Sequence, residues 1–390
     1  MAGLSSSVRP ARRRRRDRRP APAAVRSRGA SRRGGSGPRA RSVADLGPGR
    51  GDVRDRSRDG LADGTRDSFV SGSDTPAVSV LVVNYNAGPH LGHCLERLSE
   101  IAEEWPAPHA GLETVVVDNA STDGSLEAVR ELGDQDPAPP AVRLIASARN
   151  LGFGAACNLA ARETAGRYLL LLNPDAWIDA TSLWRLVEAL EADSRLGVAA
   201  PRLHYPDGSL QLGWAPPVGV VGEAIQKFRN RFEGRAWNQV LLPRLLRPLL
   251  GQGWFSAACL LVRRSAFEEV GGFDEGFFLY FEDADLGLRL GRARWRQRHV
   301  EQARAHHIRG VTTSGMSVAG RRLQGEQRGP RQSGITVDVE REYRASQLRY
   351  YSLHRPRWES RYLRRRLRRK YGTLEDGDRR RAVHSLLEER

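Results

Sequence analysis

Cysteines and long apolar runs are both scarce in this chain of 390 residues. The three cysteines, Cys94, Cys157 and Cys259, lie far apart, which excludes a disulfide framework and the paired spacing of a zinc site. No stretch approaches the roughly 18–20 apolar residues that span a bilayer, and the N-terminus has no apolar signal core. We therefore expect a cytoplasmic protein, either free or bound at the periphery of the inner face of the cell membrane.

Lysine is almost absent as well, because Lys227 and Lys370 are the only two among 63 basic residues. The formal net charge of +17 is typical of nucleic-acid-binding proteins, but its distribution is not. Residues 1–75 carry +11 and residues 355–390 carry +7, which leaves −1 for the chain between them. This nearly neutral centre argues against nucleic acid as a partner.

Composition divides the chain into four parts. Residues 1–75 are rich in Arg, Ser, Gly and Pro and cannot bury enough apolar surface to fold, so we predict a disordered Arg-rich extension. It could be a polybasic arm for anionic lipid or RNA, or a dispensable extension, which is the interpretation we favour. We predict a folded domain over 76–310, a flexible linker over 311–336 and a basic helical segment over 337–390. The basic segment is expected to attract an anionic membrane surface.

A short apolar run, Tyr168–Leu172, predicts a strand that is buried on both faces of a sheet. Pro174 ends this run and places Asp175 at the carboxyl edge of the sheet, where open α/β sheets bind their ligands. The alternative is that Asp175 caps a helix beginning near Ala180.

Apolar, β-branched runs alternate with amphipathic stretches along the chain, which predicts right-handed βαβ units. The expected fold class is α/β, with a mostly parallel central sheet flanked by helices. Residues 213–252 fit neither pattern, and we interpret them as a flap or an acceptor-side insertion. The predicted strands are Ala77–Val83, Glu113–Val117, Val142–Ile145, Tyr168–Leu172, Val198–Leu203 and Gln252–Val262. The predicted helices include Pro89–Ile101, Ser125–Leu132, Thr181–Ala192, Glu282–Leu290, Glu340–Tyr351 and Ser360–Lys370.

Polar residues follow four of the predicted strands, and parallel strands bring their carboxyl ends to one edge of a sheet. Each residue alone could be a turn residue or a helix cap, but together they predict a ligand crevice. Asp118 and Asn119 suit a nucleobase edge or ribose hydroxyls. The turn Asn150–Ala155 could cradle phosphate or serve close helix–strand packing. The strand-end residues are Asn84, Tyr85, Asn86, Asp118, Asn119, Asn150, Asn173 and Asp175.

A metal ion could bind at this edge. Asp175 is a hard oxygen ligand that could hold Mg²⁺ or Mn²⁺ against a diphosphate, whose oxygens would complete the coordination shell. His306 or His307 could supply a further ligand.

An acidic cluster could supply a general base. Glu282, Asp283 and Asp285 begin a predicted helix, where acids interact favourably with the helix dipole. The preceding stretch, Gly271–Phe281, is rich in Phe and Gly, and an apolar wall raises the pKa of a neighbouring carboxylate toward a range useful for proton transfer.

Together these residues resemble the family 2 glycosyltransferases, in particular the rhamnosyltransferase-like branch. The matching stretches follow the family order over residues 77–310. They are Val82–Asn86, Val117–Ser125, Asn150–Gly154, Leu171–Asp175, Tyr205–Gln211, Cys259–Phe267, Gly271–Asp274 and Glu282–Leu288. The resemblance implies the GT-A fold of nucleotide-diphospho-sugar transferases and an inverting transfer of the sugar.

The resemblance also implies roles for single residues. Asn173 and Asp175 stand where the family has its Asp-x-Asp metal motif, with Asn in place of the first acid. Asp283 would be the base and Glu282 would position the acceptor. His307 follows Asp283 by 24 residues, the spacing expected of the family's metal-ligating histidine. The nucleoside pocket would include Asn84, Tyr85, Asn86, Asp118 and Asn119, and the ribose and diphosphate would lie near Asn150, Gly152, Phe153, Gly154 and Asn158.

The function expected from this resemblance is metal-dependent transfer of a sugar onto a lipid-linked or polysaccharide glycan. The expected donor is dTDP-rhamnose, with UDP- and GDP-sugars as alternatives. Two alternatives remain at this point. A sugar nucleotidyltransferase on a similar sheet would release pyrophosphate from a nucleoside triphosphate. A basic nucleic-acid-binding protein would carry its charge on the folded body.

Overall fold

The computed structural model describes residues 77–105, 111–127, 129–130, 142–309, 339–372 and 377–388. The expected α/β fold class is confirmed, with a mostly parallel central sheet flanked by helices. The strands are β1 (Val78–Asn84), β2 (Leu112–Asp118), β3 (Val142–Ala146), β4 (Tyr168–Leu172), β5 (Ala176–Ile178), β6 (Leu196–His204), β7 (Trp214–Ala215), β8 (Trp254–Phe255), β9 (Cys259–Arg263) and β10 (Arg296–His307). The helices are α1 (Pro89–Glu104), α2 (Phe153–Arg162), α3 (Ala180–Glu191), α4 (Val220–Arg231), α5 (Ala236–Gln239), α6 (Leu241–Leu250), α7 (Arg264–Glu269), α8 (Glu282–Arg292), α9 (Val339–His354), α10 (Arg357–Gly372) and α11 (Gly377–Glu388).

The main sheet has eight strands in the order β3-β2-β1-β4-β9-β6-β10-β5. The first four strands of this order are parallel to one another. Strand β9 runs antiparallel between β4 and β6, and β10 is parallel to β6. The carboxyl ends of β1, β2 and β4 therefore lie side by side, as the polar strand-end residues predicted.

Side-chain alternation along β4 explains how the sheet is covered on both faces. Leu170 and Leu172 face a core shared with α1 and α3, whereas Leu169 and Leu171 face a core shared with α2, α7 and α8. Because both faces are buried, the strand has no polar residue before Asn173.

The structure excludes the alternative for Asp175, and two details of the sequence interpretation were wrong. Asp175 does not cap α3, because Asp179 is the N-cap residue and accepts from the Ser182 backbone N–H at 2.7 Å. Gln252–Val262 is not one strand, because β8 pairs with β7 while β9 pairs with β4 and β6. The short strand β5, which pairs with β10 beside His306 and His307, was not predicted.

Residues 213–252 form β7 and a helical hairpin of α4, α5 and α6. This hairpin leaves the sheet after β7 and returns to it at β8, so it is an insertion between two paired strands. The predicted extension over 1–75 and the predicted linker over 311–336 lie outside the described residues, as do residues 128, 131 and 132 of the predicted helix Ser125–Leu132.

The C-terminal helices α9, α10 and α11 share an apolar core with Val218, Phe277 and Ala284. Their position is therefore fixed against the start of α8 and the start of the hairpin. Among the described residues, no helix is both long enough and apolar enough to cross a bilayer.

Candidate functional site

The ends of β1 and β2 are joined by a buried polar network. The amide nitrogen of Asn84 lies 2.9 Å from Asp118 Oδ1, 3.0 Å from Ser121 Oγ and 2.8 Å from Ser125 Oγ. The second carboxylate oxygen of Asp118 accepts from the backbone N–H of Ser121. Asn84 Oδ1 is buried and has no partner among the described residues. A buried amide oxygen without a partner costs stability unless a ligand donates to it, so this network ends in an open acceptor.

The loops after these strands hold one another in place. The side-chain oxygen of Asn86 accepts from the Thr122 backbone N–H at 2.8 Å, and Asn86 adopts φ 51°, a conformation that Asn tolerates better than most residues. Tyr85 lies beside it and is half-buried. Asn119 donates to the Gly152 carbonyl oxygen at 3.2 Å. The structure thus links the predicted nucleoside residues to the predicted phosphate turn.

Gly152 allows this turn to approach the acidic helix. It has φ 84°, and a Cβ built there would lie 2.4 Å from the carbonyl oxygen of Phe278. Asn150 Oδ1 accepts from the Gly152 backbone N–H at 2.9 Å, and the Phe153 N–H donates to Phe278. A Cβ on Gly154 would lie 3.6 Å from the Cβ of Glu282. The glycines therefore bring the turn within contact of the loop that leads into α8.

Asn158 contributes indirectly. Its amide nitrogen donates to the Phe273 carbonyl oxygen at 2.9 Å and to Glu275 at 3.0 Å, and its oxygen accepts from the Phe273 N–H at 2.9 Å. These bonds hold the loop before α8 against α2, so the side chain positions that loop and does not point at the strand ends.

The ends of β4 and β10 meet at Asp175 and His307. The two side chains are almost fully buried, and His307 Nε2 lies 3.3 Å from Asp175 Oδ1. Asn173 places its amide nitrogen 3.4 Å from the same ring nitrogen. Burial alone would raise the pKa of Asp175, but the hydrogen bond and charge of His307 in its protonated form lower it below its ordinary value. Asp175 is therefore ionised at neutral pH.

Gln211 fixes the orientation of the His307 ring. Its amide nitrogen donates to the His307 carbonyl oxygen at 3.3 Å, so its oxygen faces His307 Nδ1 at 2.8 Å. Because an amide oxygen only accepts, Nδ1 carries the proton. In the neutral ring, the lone pair of Nε2 then points toward the Asp175 carboxylate. A proton or a cation between these two groups would stabilise them.

This donor set fits a divalent cation that is also bound by phosphate. A ring nitrogen whose partner N–H is held by an amide oxygen is typical of metal-ligating histidine, and Asp175 supplies an anionic oxygen. No group of three His, Cys, Asp or Glu side chains among the described residues could hold a metal alone. Two protein ligands leave coordination positions for diphosphate oxygens.

His306 faces away from this group, as expected of the neighbouring residue in a strand. Its ring stacks on Trp177 with a centroid separation of 5.1 Å and lies 5.8 Å from the ring of His204. The structure therefore places His307, and not His306, beside Asp175.

The first turn of α8 carries two acids with raised pKa values. Burial, reinforced by the charge of Asp283, raises the pKa of Glu282 well above its ordinary value. Burial also raises the pKa of half-buried Asp283 to about 7, against the opposing effect of N–H groups of Ala284 and Ala257. Glu282 Oε2 is buried without a partner among the described residues. Both carboxyls therefore hold a proton more tightly than an exposed carboxyl does.

The third acid has a structural role. Asp285 is buried, with one oxygen 2.6 Å from His354 Nε2 and the other 2.7 Å from Arg289 Nε. It ties α8 to the C-terminal helix α9 and has no free oxygen to act as a base.

The segment Ser256–Ala258 connects the acid pair to the end of β4. The Ala257 N–H donates to Asp283, and the next carbonyl oxygen, that of Ala258, accepts from the Asn173 N–H at 2.9 Å. Asp283 and the Asn173–Asp175 corner therefore flank one short stretch of backbone. Contacts run without a break from Asn84 through the glycine turn and α8 to Asp175.

The sequence did not reveal every residue of the site. Gln211 lies in a stretch that matched the family pattern, but nothing in its spacing assigned it to His307; the pairing of His204 with Leu210 brings it there. Ser121 and Ser125 belong to the polar cluster after β2, whose bonding to Asn84 requires the parallel register of β1 and β2. The Phe278 carbonyl over Gly152 has no sequence signal.

Comparisons with known proteins give one consistent family. The family model described as "Glycosyl transferase family 2" matches residues 79–271. N-acetylglucosaminyl-diphospho-decaprenol L-rhamnosyltransferase of Mycobacterium tuberculosis is 34% identical over 255 residues, which are 61% of this chain and 78% of that protein. Rhamnosyltransferase WbbL of Escherichia coli is 46% identical over 54 residues, 14% of this chain and 20% of that protein.

Solved structures are more distant. The mannosyltransferase PcManGT from Pyrobaculum calidifontis, in complex with GDP-Man and Mn²⁺, is 22% identical with a TM-score of 0.41. The match covers 60% of this chain and 57% of the mannosyltransferase chain, which is less than two thirds of the mannosyltransferase's length.

Proposed function

Because this chain belongs to the family 2 glycosyltransferases, we propose that it transfers rhamnose from dTDP-rhamnose to a glycan acceptor with inversion at the anomeric carbon. The observation that carries this proposal is the position of Asp283. This half-buried carboxyl, with a pKa of about 7, shares the Ser256–Ala258 backbone with the Asn173–Asp175 corner. The base and the diphosphate-binding corner would thus lie on either side of one short segment. A hydroxyl beside the base could then attack a nucleotide sugar whose diphosphate is bound at the corner.

The donor would bind along the strand ends. Asn84 Oδ1 is the open acceptor for a nucleobase or ribose donor group, and Asp118 and Ser125 hold that amide in place. The turn at Gly152 would lie against the ribose and diphosphate, because the missing Cβ lets the backbone approach closely.

Asp175 and His307 would hold Mg²⁺ or Mn²⁺ together with the diphosphate. When bound, such an ion neutralises negative charge on the departing diphosphate. Gln211 keeps the proton of His307 on Nδ1 and leaves Nε2 free for the ion.

Asp283 would remove the proton from the attacking hydroxyl, and Glu282 would donate a hydrogen bond that positions the acceptor. Burial raises the pKa of both carboxyls, and the charge of Asp283 raises the pKa of Glu282 further. A single displacement at the anomeric carbon inverts its configuration and needs only one base. Retention through a covalent intermediate would need a second carboxylate as the nucleophile.

The acceptor we propose is a lipid-linked N-acetylglucosamine glycan. The Mycobacterium tuberculosis relative is named for transfer to N-acetylglucosaminyl-diphospho-decaprenol, and it is the source of this suggestion. Such an acceptor would place the enzyme at the inner face of the cell membrane, where the basic C-terminal segment could attract anionic lipid.

Product analysis tests this function and separates it from nucleotidyl transfer. With dTDP-rhamnose, Mn²⁺ and a short-chain N-acetylglucosaminyl-diphospho-lipid, we expect dTDP and one new glycosidic bond, whose anomeric configuration NMR would read as inverted. Pyrophosphate release from a nucleoside triphosphate, without transfer to the lipid, would support the nucleotidyltransferase instead. A retained configuration would remove the single-displacement mechanism.

A further inference from the structure

The hairpin α4–α6 exposes large apolar side chains along its outer surface. On α6, Leu241, Leu245 and Leu249 are 53, 56 and 80% exposed. Their spacing of four residues puts them on one stripe of the helix, while Pro243 is buried on the opposite side. Three exposed leucines in register are not the scattered apolar residues of an ordinary surface.

The aromatic residues of the hairpin extend this stripe. The rings of Phe228, Phe232 and Trp237 contact one another, with centroids 5.0 to 6.4 Å apart, and each is exposed by more than a third. At the other end, Leu250 of α6 and Val221 of α4 border the same small cavity, so the two helices run alongside each other. We call the exposed set the apolar ridge; it consists of Phe228, Phe232, Trp237, Leu241, Leu245 and Leu249.

The ridge is held outward by a rigid base. Arg229 is fully buried beneath it and bonds to the side chain and carbonyl oxygen of Asn238 at 3.0 Å each, and to the carbonyl oxygen of Trp214. Its guanidinium also stacks over the Trp214 ring at 4.9 Å. The hairpin therefore cannot bury its ridge by folding inward without breaking these bonds.

The charge beside the ridge is positive. Residues 220–250 carry six basic and two acidic side chains, a net of +4, whereas the chain between the basic ends has a net of −1. On the inner side of α6 lies a cavity of about 600 Å³, lined by Arg202, Arg244, Arg247, Arg298 and Glu301 among others. Four guanidiniums around one carboxylate leave a cationic border next to an apolar ridge.

From this combination we propose that the hairpin docks on a lipid bilayer containing anionic lipids, with the apolar ridge inserted at the headgroup level. Helices that lie in a membrane interface combine an apolar stripe, aromatic residues and basic residues on the polar side. Trp and Phe favour that depth, and the arginines attract anionic headgroups.

This surface differs from the basic C-terminal helix that the sequence suggested. Glu359 of α10 accepts from the Val220 N–H of α4 at 3.1 Å, and Arg366 of α10 is paired with Glu223 of α4. These pairs join α10 to the hairpin.

Docking would bring the bilayer beside the active site. Gln211, which orients His307, also lines the arginine cavity under α6. The inference does not depend on which acceptor the enzyme uses, because it rests on the exposed side chains alone.

Sedimentation with vesicles tests the proposal on the full chain. In about 0.5 M NaCl, which screens binding by exposed arginines, we expect the protein to sediment with vesicles of phosphatidylcholine and phosphatidylglycerol. The double variant L245Q/L249Q should lower the partition coefficient roughly 100-fold, about tenfold for each leucine. The matched control is L144Q, because Leu144 is also exposed but lies on β3, at the far edge of the sheet.

A second variant separates the two basic surfaces. R361Q/R365Q, on the exposed side of α10, should change binding by less than threefold, roughly, in high salt and also at about 0.1 M NaCl, where exposed charges are screened less. As an independent readout, vesicles with brominated acyl chains should quench Trp fluorescence in the wild type and less so in W237F.

Three results would overturn the proposal. One is wild-type protein that fails to sediment with the anionic vesicles. Another is L245Q/L249Q that sediments as well as L144Q does. The third is loss of self-association in L245Q/L249Q, measured by analytical ultracentrifugation, with vesicle binding unchanged, since the ridge would then be a contact between copies.

Discussion

The donor-side strand ends and the hairpin are built in opposite ways. At the ends of β1 and β2, polar side chains bond to one another, and Asn84 is completely buried among them. In the hairpin, the apolar side chains point outward and one buried arginine, Arg229, holds the helices to the sheet. The first region is a bonded polar network with one open acceptor, and the second is an exposed apolar surface.

The strand-end site depends on local sequence, whereas the hairpin depends on contacts with distant residues. The strand-end residues follow directly from the strands that carry them, so a change there alters a side chain and leaves the frame in place. The hairpin depends on Arg229 and on its packing against the C-terminal helices, so a single change there could move a whole surface.

The largest expected effect comes from the base at the boundary of the two regions. Asp283→Asn removes the proton acceptor but keeps shape and hydrogen bonding, so kcat should fall about 10³-fold. Binding of the nucleotide sugar, measured by calorimetry, should stay within about twofold, because Asp283 does not contact the strand ends of β1 and β2. The control Asp207→Asn lies in an exposed turn and should keep full activity.

The pH dependence gives the same residue an independent test. The base must be deprotonated, and the pKa of Asp283 is about 7. We expect kcat in the wild type to rise tenfold per pH unit below that pKa and to level off above it. A flat profile between pH 5.5 and 8, roughly, would exclude Asp283 as the base.

A change at Arg229 should break the hairpin while sparing the donor side. Arg229→Met removes the guanidinium that donates to the carbonyl oxygens of Trp214 and Asn238 and to Asn238 Oδ1, at a cost of about 3 kcal/mol in the free energy of unfolding. Hydrogen exchange should show faster opening of residues 220–250, with exchange in β1 and β2 unchanged. Equally accelerated hydrogen exchange in the hairpin and in β1 and β2 would show that the two regions do not open independently.

A smaller change at Gly152 should act on the donor side alone. Gly152→Ala forces a Cβ into the Phe278 carbonyl oxygen at an unfavourable φ, and should destabilise the fold by about 2 kcal/mol and weaken nucleotide-sugar binding. Gly208→Ala is the matched control, because Gly208 has nearly the same φ, 81°, but open space around it. It should cost about 1 kcal/mol and leave nucleotide-sugar binding unchanged.

The smallest expected effect concerns the orientation of His307. Gln211→Leu removes the acceptor for His307 Nδ1–H and should weaken Mn²⁺ binding about tenfold. Gln211→Glu keeps an acceptor at that position and should retain most of the affinity. Titration with Mn²⁺, followed by thermal shift in the presence of dTDP, measures both. If the two variants behave alike, Gln211 does not orient a metal ligand.

The sequence predicted the frame of the site because its signals are local. An apolar run that ends at Pro174 determines where β4 stops, and Gly152 is required by a backbone approach that any residue with a Cβ would block. The alternation of a strand separates His306 from His307, although only the pairing of β10 with β5 and β6 shows which one faces Asp175.

The rest depends on contacts between distant residues. Gln211 reaches His307 across 96 positions, and Asn158 reaches the loop before α8 across 115. The sequence marked Asn158 as a residue near the ribose and diphosphate, but its donors and acceptor are used by Phe273 and Glu275. The helices of the hairpin could not be predicted from hydrophobic periodicity. That method assumes that apolar residues are buried, and these helices expose several of theirs.

The central claim is that Asp175, His307 and Asp283 belong to one site. Crystals grown with Mn²⁺ and dTDP, measured at the manganese absorption edge, test it most directly. We expect one anomalous peak, from manganese, within coordination distance of Asp175 and of His307 Nε2. Asp283 should lie across a gap that a sugar would fill. A peak bound by other residues, or a solid wall between that peak and Asp283, would contradict it.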